Sequence, residues 1–183
     1  RHFDEIFISR SSNGKLPLRD GLLLKSSKED QDDGIYIILD AGREEAGFLE
    51  IELKAVEGTI VDFAYGQHLD DLRVRASVGG RNFANRYICK SGRQSFIHYF
   101  KRISGRYIQL HISNIRGQIV LYYAGLRPAF YPVEQKGSFE CSDDLYNKIH
   151  EVCVRTLHLC MHEHYEDTPW REQALYSMDS KNQ

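Results

Sequence analysis

The feature of this sequence that most constrains its fold is a run of short segments, between residues 35 and 124, in which apolar and polar side chains alternate. In residues 49–54 three aliphatic side chains alternate with charged ones, and residues 72–78 repeat the pattern. Because successive side chains of a β-strand point to opposite faces, this period places one set in a core and the other in water.

Further runs of the same kind indicate strands at residues 59–65, 87–89, 95–100, 107–112 and 119–124, with turn signals at 57–58, 79–80, 91–92, 104–105 and 114–117. Nearer the N-terminus, Ile6 with Ile8, and Leu22 to Leu24, indicate two shorter strands. Strands at this even spacing, with no helical period between them, predict a mainly β fold, an antiparallel sandwich or barrel, rather than a parallel βαβ sheet.

The pattern changes after residues 128–132, which begin and end with proline. Ser142 is the expected N-cap of a helix that runs to about Met161, with one apolar stripe formed by Leu145, Ile149, Val152, Thr156 and Leu159. A second helix is expected to start near Pro169, since proline suits the first helical position. The chain thus divides into residues 1–34, which are difficult to interpret, a β-sandwich over 35–132, and an α-helical segment over 133–183.

Composition excludes several classes of partner. The formal net charge is −2, which leaves no electrostatic footprint for nucleic acid or an anionic membrane. The longest apolar runs, such as residues 35–39, are far too short to span a bilayer. The four cysteines have no CxxC spacing and are expected to be free, buried thiols.

The side chains best suited to chemistry lie between residues 158 and 183, and a metal site was the first possibility to weigh. His158 and His162 are four residues apart, which can place two imidazoles on one helix face. Glu166, however, stands where an HExxH motif needs its second histidine, and spacing places no third ligand. The sequence therefore predicts neither a metal nor another cofactor.

Carboxylates are the stronger candidates. Asp167, Glu172 and Asp179 bracket Trp170 and Arg171. Such a cluster suits a sugar site, because carboxylates bind hydroxyls, an aromatic ring stacks on the apolar face of the sugar, and one acid protonates the leaving oxygen. If residues after 169 are helical, Glu172 and Asp179 share a face with Tyr176; if they form a loop, they do not. A solvated, charge-rich helix start remains the alternative.

The run Asp-Thr-Pro-Trp-Arg-Glu-Gln at residues 167–173, closing with Asp179, resembles the signature of bacterial α-L-rhamnosidases, glycoside hydrolase family 78. Residues 139–145 resemble the family's entry into its (α/α)6-barrel, and residues 40–44 and 105–107 resemble the β-sandwich before it. The resemblance implies a jelly-roll-like sandwich followed by one or two helices that open a truncated barrel. The chain is accordingly expected to be an internal fragment of a longer bacterial protein.

The resemblance also implies roles. Glu172 matches the general acid, Asp167 and Asp179 match carboxylates that bind rhamnose hydroxyls, and Arg171 matches the basic residue beside the acid. Trp170 falls at a variable position, so its stacking role is inferred from the residue type alone. The implied reaction is inverting removal of terminal α-L-rhamnose. The general base comes from later in the family's barrel, so this fragment alone is expected to be inactive.

The sequence departs from the family pattern at Thr168, Gln173 and Met178, where cysteine, arginine and glycine are usual. The expected partner is a rhamnosyl glycan or glycoside, with a homodimer through the apolar helix face as a further expectation. The alternative reading is a non-catalytic module, in which the sandwich braces the barrel or binds carbohydrate through tyrosines such as Tyr36, Tyr65, Tyr122 and Tyr123. The compartment stays open between cytoplasm and periplasm.

Overall fold

The computed structural model describes residues 21–24, 34–181 and 183, in two compact units that adjoin in sequence at Arg127 and Pro128. The predicted strand at Ile6 and Ile8 lies outside the described residues. The first unit is antiparallel β structure and the second carries two helices, so the predicted mainly β fold followed by helices is confirmed.

The strands are β1 (Leu22–Leu24), β2 (Gly34–Ala55), β3 (Ile60–Gly66), β4 (Leu69–Asp70), β5 (Arg73–Val74), β6 (Ser77–Val78), β7 (Arg81–Asn82), β8 (Ala84–Ile88), β9 (Gly92–Ser113) and β10 (Ile119–Pro128). Six of them form one hydrogen-bonded sheet in the order β1-β10-β2-β9-β3-β8, while β4 with β5 and β6 with β7 form two short hairpins. The predicted short strand at Leu22 is confirmed as β1.

The two central strands of the sheet, β2 and β9, are each 22 residues long and pair in antiparallel orientation. The pairing is interrupted twice. Four residues of β2 between Asp40 and Glu45 lie opposite one residue of β9, and four residues of β9 between Ile97 and Arg102 lie opposite one residue of β2, so each interruption adds three extra residues. Extra residues of this kind bend a strand and increase its twist. The prediction of a turn at residues 104–105 is wrong, because β9 continues through both residues. The bulges bend the strand instead.

The core of the first unit follows the period-two pattern. Leu49, Ile51 and Leu53 of β2 are almost fully buried, while the charged residues between them are partly or fully exposed. Leu110 and Ile112 of β9 and Phe63 of β3 bury their side chains in the same way. Removal of this apolar surface from water is the main stabilising term for the sheet.

Residues 72–78 do not form the strand that their alternation predicts. Leu72 adopts a left-handed conformation, with φ of 59°, and its side chain is exposed. The chain instead makes the β4–β5 hairpin and then the β6–β7 hairpin, whose two-residue turn is Gly79-Gly80 with φ of 57° and 77°. Positive φ at both turn positions suits glycine and matches the twist of a hairpin.

In the second unit, α1 covers Asp144–Leu159 and α2 covers Ser177–Ser180. The N-cap of α1 is Asp143, whose side chain accepts the amide of Leu145 at 2.9 Å, so the expected cap at Ser142 is wrong by one position. The helix expected from Pro169 is also wrong, because residues 169–172 form turns and Gln173 has φ of 54°. The predicted stripe on α1 lies largely in the open: Leu145, Ile149, Val152 and Thr156 are exposed, and only Leu159 is buried.

Across the described residues, no helix is both long and apolar enough to cross a membrane. None of the four cysteines forms a disulfide, as expected. Cys89 and Cys160 are buried, whereas Cys141 is partly exposed and Cys153 is exposed, so the expectation of buried thiols is wrong for Cys153.

Candidate active site

The segment that follows α1 turns back on the end of the helix. The Glu166 amide donates to the carbonyl of Cys160 at 2.8 Å, and a β-bridge joins Met161 to Tyr165. Glu166 is only 2% exposed, and its Oε1 lies 3.8 Å from Nδ1 of His162. Burial of a carboxylate is costly unless it is paired, and the His162 imidazole is one polar group beside it.

The pair of imidazoles weighed as metal ligands does not share a helix face. Helix α1 ends at Leu159, so His158 lies in its last turn, with its ring 4.8 Å from that of Phe130, whereas His162 lies beyond the helix and faces Glu166. Within residues 21–24, 34–181 and 183, no group of three or more His, Cys, Asp or Glu side chains could hold a metal ion.

Residues 167–173, which carry most of the signature, lie on an eight-residue loop from Asp167 to Ala174, closed at its ends. The Asp167 amide donates to the Ala174 carbonyl, and the Ala174 amide donates to Oδ1 of Asp167, both at 2.9 Å. The Gln173 amide also donates to the Thr168 carbonyl at 3.2 Å, and Nε2 of Gln173 donates to the Pro169 carbonyl at 2.8 Å. One oxygen of the Asp167 carboxylate thus holds the loop together.

Thr168 connects the Asp167 carboxylate to the backbone amide of Glu172 inside this loop. Its Oγ1 accepts the amide of Glu172 at 3.2 Å and lies 3.5 Å from Oδ2 of Asp167, to which it donates. A hydroxyl has one donor and two acceptor sites, so it can make both contacts at once.

Glu172 sits next to a positive charge. Its Oε1 accepts a hydrogen bond from Nη2 of Arg171 at 2.9 Å. The Glu172 side chain keeps 22% of its surface exposed and that of Arg171 keeps 50%. Trp170 is partly exposed. Glu172 is therefore held at its backbone and at one carboxylate oxygen, while part of its side chain remains exposed.

The structure brings Asp167, Arg171 and Glu172 together on one loop and places Asp179 separately, exposed in the first turn of α2. Since no helix runs from residue 169 to 176, Glu172, Tyr176 and Asp179 do not share a helical face. Gln183 contacts the residue just before this loop, because its Nε2 donates to the carbonyl of Glu166 at 2.8 Å.

Sequence reasoning missed the parts played by Thr168 and Glu166. In the sequence, Thr168 stands out only as a departure from the family pattern, and Glu166 only as the residue that breaks an HExxH motif. The available signal was the pair Asp167-Thr168 directly before a proline, since short polar side chains at such positions bond to backbone amides a few residues on.

Two family models match the chain. Residues 30–120 match the bacterial alpha-L-rhamnosidase concanavalin-like domain, and residues 134–183 match the bacterial alpha-L-rhamnosidase 6 hairpin glycosidase domain. A curated alpha-L-rhamnosidase from Formosa agariphila is 30% identical over 156 residues, which are 81% of this chain and 16% of that protein.

Solved structures agree. The GH78 family rhamnosidase of Bacillus sp. GL1 is 32% identical with a TM-score of 0.81, over 91% of this chain and 17% of that chain. A rhamnosidase from Klebsiella oxytoca, solved with rhamnose bound, is 16% identical with a TM-score of 0.64, over 81% of this chain and 31% of that chain, a likeness of fold alone.

The chain spans about a sixth of the length of the Formosa and Bacillus proteins, and its two matches follow one another in sequence. The chain therefore belongs to the bacterial α-L-rhamnosidases, glycoside hydrolase family 78, as a segment that joins their concanavalin-like domain to part of their 6 hairpin glycosidase domain.

Proposed function

We propose that the whole protein is an inverting α-L-rhamnosidase that removes terminal α-L-rhamnose from glycans or glycosides, and that this chain supplies its general acid and part of its sugar pocket. The observation that carries the proposal is the closed loop at residues 167–174. It holds Asp167 and Glu172 on either side of one hydroxyl, inside the segment that matches the glycosidase domain.

Glu172 is the proposed acid. A general acid must reach the leaving oxygen and arrive in one orientation, which requires a fixed backbone and an open carboxyl edge. The Glu172 amide bond to Thr168 supports the first requirement, and the partial exposure of its side chain is compatible with the second. Arg171, at 2.9 Å, balances the negative charge that remains when the proton has left.

Asp167 and Asp179 are the proposed ligands of the sugar hydroxyls. An ionised carboxylate offers about four acceptor sites, and the loop uses two of them on Asp167, through the Ala174 amide and the Thr168 hydroxyl. Asp179 is exposed at the start of α2 and is available to a ligand. The partly exposed ring of Trp170 is proposed to stack on the apolar face of the sugar.

Inversion requires a second carboxylate, about 6.5–9.5 Å from the acid, that activates water on the opposite face of the sugar. We propose that this base lies in the part of the protein outside this chain. The isolated chain is then expected to be inactive even though it contains the acid.

The test is a panel of aryl glycosides given to the full-length protein and, in parallel, to the chain of residues 1–183. We expect the full-length protein to cleave the α-L-rhamnoside, with β-L-rhamnose as the first product seen by proton NMR, and the short chain to cleave nothing. Cleavage of another glycoside but not of the α-L-rhamnoside would refute the assigned substrate. Formation of α-L-rhamnose as the first product would refute the inverting mechanism.

A second candidate, carbohydrate binding by the sandwich itself, has less support. Of the tyrosines considered for it, Tyr65 is buried against Phe83, and Arg93 lies 4.2 Å from the centre of the Tyr122 ring. The observation in its favour is the exposed pair Tyr99 and Phe100 on the extra residues of β9, where Phe100 is 99% exposed. A bracing role for the sandwich therefore ranks above independent binding.

A further inference from the structure

We infer that Thr168 is a positioning residue for the reaction, and that its hydroxyl sets the place of the acid Glu172 relative to the sugar-binding carboxylate Asp167. The inference rests on the proposed function and deepens it. None of the roles proposed above gives Thr168 a contact with the sugar or the leaving group. The inference assigns it the task of positioning Glu172.

The Thr168 hydroxyl has two hydrogen-bond partners, one a donor and the other an acceptor. The Glu172 amide is a donor and bonds to Oγ1 at 3.2 Å; the Asp167 carboxylate is an acceptor and lies 3.5 Å away at Oδ2. Because a threonine is β-branched, its χ1 rotation is restricted, so the hydroxyl occupies a well-defined place. The backbone of Glu172, from which the acid projects, is thereby tied through one side chain to the carboxylate of Asp167.

The rest of the loop does not depend on this hydroxyl. Two bonds between Asp167 and Ala174 close its ends, and Gln173 bonds to the carbonyls of Thr168 and Pro169. Removal of the hydroxyl alone should therefore leave the loop closed while the Glu172 amide loses its acceptor. The expected defect is in the placement of the acid rather than in folding.

A misplaced acid has a recognisable kinetic signature. Proton donation matters most when the leaving group is a weakly acidic alcohol, and matters little when the leaving group departs readily as an anion. A loss of positioning should therefore slow a phenyl rhamnoside much more than a 4-nitrophenyl rhamnoside. A general loss of folded protein would slow both substrates equally.

The experiment compares Thr168→Val, which keeps the size and β-branching, with Thr168→Ser, which keeps the hydroxyl, in the full-length protein. For Thr168→Val we expect kcat on phenyl α-L-rhamnoside to fall about tenfold, a part of the 10²–10⁴ that a general acid contributes. On the 4-nitrophenyl substrate we expect a change within about twofold, with KM within about twofold for both. Thr168→Ser should restore the wild-type ratio of the two rates.

Equal loss on both substrates, no loss on either, or failure of Thr168→Ser to restore the ratio would overturn the inference while leaving the proposed function intact. Cleavage of neither rhamnoside by the wild-type protein would instead refute the proposed function, and the positioning role with it. Thermal unfolding checks that each variant folds. If Thr168→Val does not fold, Thr168→Ala replaces it, and failure of both to fold would mean that the hydroxyl is structural, which also overturns the inference.

Discussion

At the scale of single residues, the cysteines offer a direct check of burial. Cys89 follows β8 and is buried, and burial raises the pKa of its thiol to about 11. The thiolate is the reactive form, so about one Cys89 in a thousand is reactive at pH 8. We predict that iodoacetamide labels Cys153 of the native chain at pH 8 and leaves Cys89 unlabelled, as read by mass spectrometry of the peptides.

The same labelling in urea is the control, because unfolding exposes Cys89 and should make the two cysteines equal. Labelling of native Cys89 should increase as the pH is raised towards 11, since its thiolate fraction grows as pH approaches the pKa. Rapid labelling of native Cys89 at pH 8 would contradict its placement in the core.

The candidate site residues divide into those that side-chain chemistry indicates and those that only backbone geometry indicates. Asp167, Arg171 and Glu172 could be selected from the sequence, because carboxylates beside an aromatic and a cation suit sugar chemistry. Thr168 could not, since its importance depends on which amide lies within reach of its hydroxyl. Glu166 was equally hidden, because its burial results from the turn of residues 160–166 on the end of α1.

At the scale of elements, the start of α1 carries a testable assignment. Asp143 accepts the amide of Leu145 and so satisfies one of the donors that a helix leaves without an intrahelical partner. Replacement of an N-cap aspartate by alanine typically costs about 1 kcal/mol. We predict that Asp143→Ala lowers the free energy of unfolding of the chain by about 1 kcal/mol, measured by urea titration followed by circular dichroism.

Ser142→Ala is the matched control, since the residue lies one position earlier and is not the cap. Its effect should stay within about 0.5 kcal/mol, as is usual for exposed positions. A larger loss for Ser142→Ala than for Asp143→Ala would return the cap to the position expected from the sequence.

Elements with one strong period could be predicted, and elements shaped by their neighbours could not. The alternation of Leu49, Ile51 and Leu53 matches their burial in β2, and the period of the apolar stripe matches α1. Residues 72–78 alternate equally well, yet left-handed backbone at Asp71 and Leu72 divides them between hairpins. The continuity of β9 through Ser104 and Gly105 depends on its pairing with β2, which local turn propensity does not encode.

At the scale of the whole molecule, the chain is a segment of a larger architecture. It spans 16% of the Formosa protein and 17% of the Bacillus chain. Leu145, Ile149 and Val152 of α1 expose apolar surface, which favours association with another helical surface. Homodimerisation of the isolated chain through this face stays a prediction.

The two units of the chain have different proposed contributions to the activity of the whole protein. The sheet unit provides a large buried core, and the loop of residues 167–174 in the other unit carries the proposed acid. On this account the protein's activity depends on Glu172 together with a base contributed from outside the chain. Glu172 is therefore the residue on which the account can be tested most directly.

The decisive measurement is the steady-state rate of phenyl α-L-rhamnoside hydrolysis by the full-length protein carrying Glu172→Gln. The control is Glu163→Gln, an exposed glutamate outside the loop. We predict a loss of about 10²–10⁴ in kcat for Glu172→Gln, the usual contribution of a general acid, and a rate within about twofold of wild type for Glu163→Gln. Hydrolysis by Glu172→Gln at the wild-type rate would contradict the assignment of the acid to this loop.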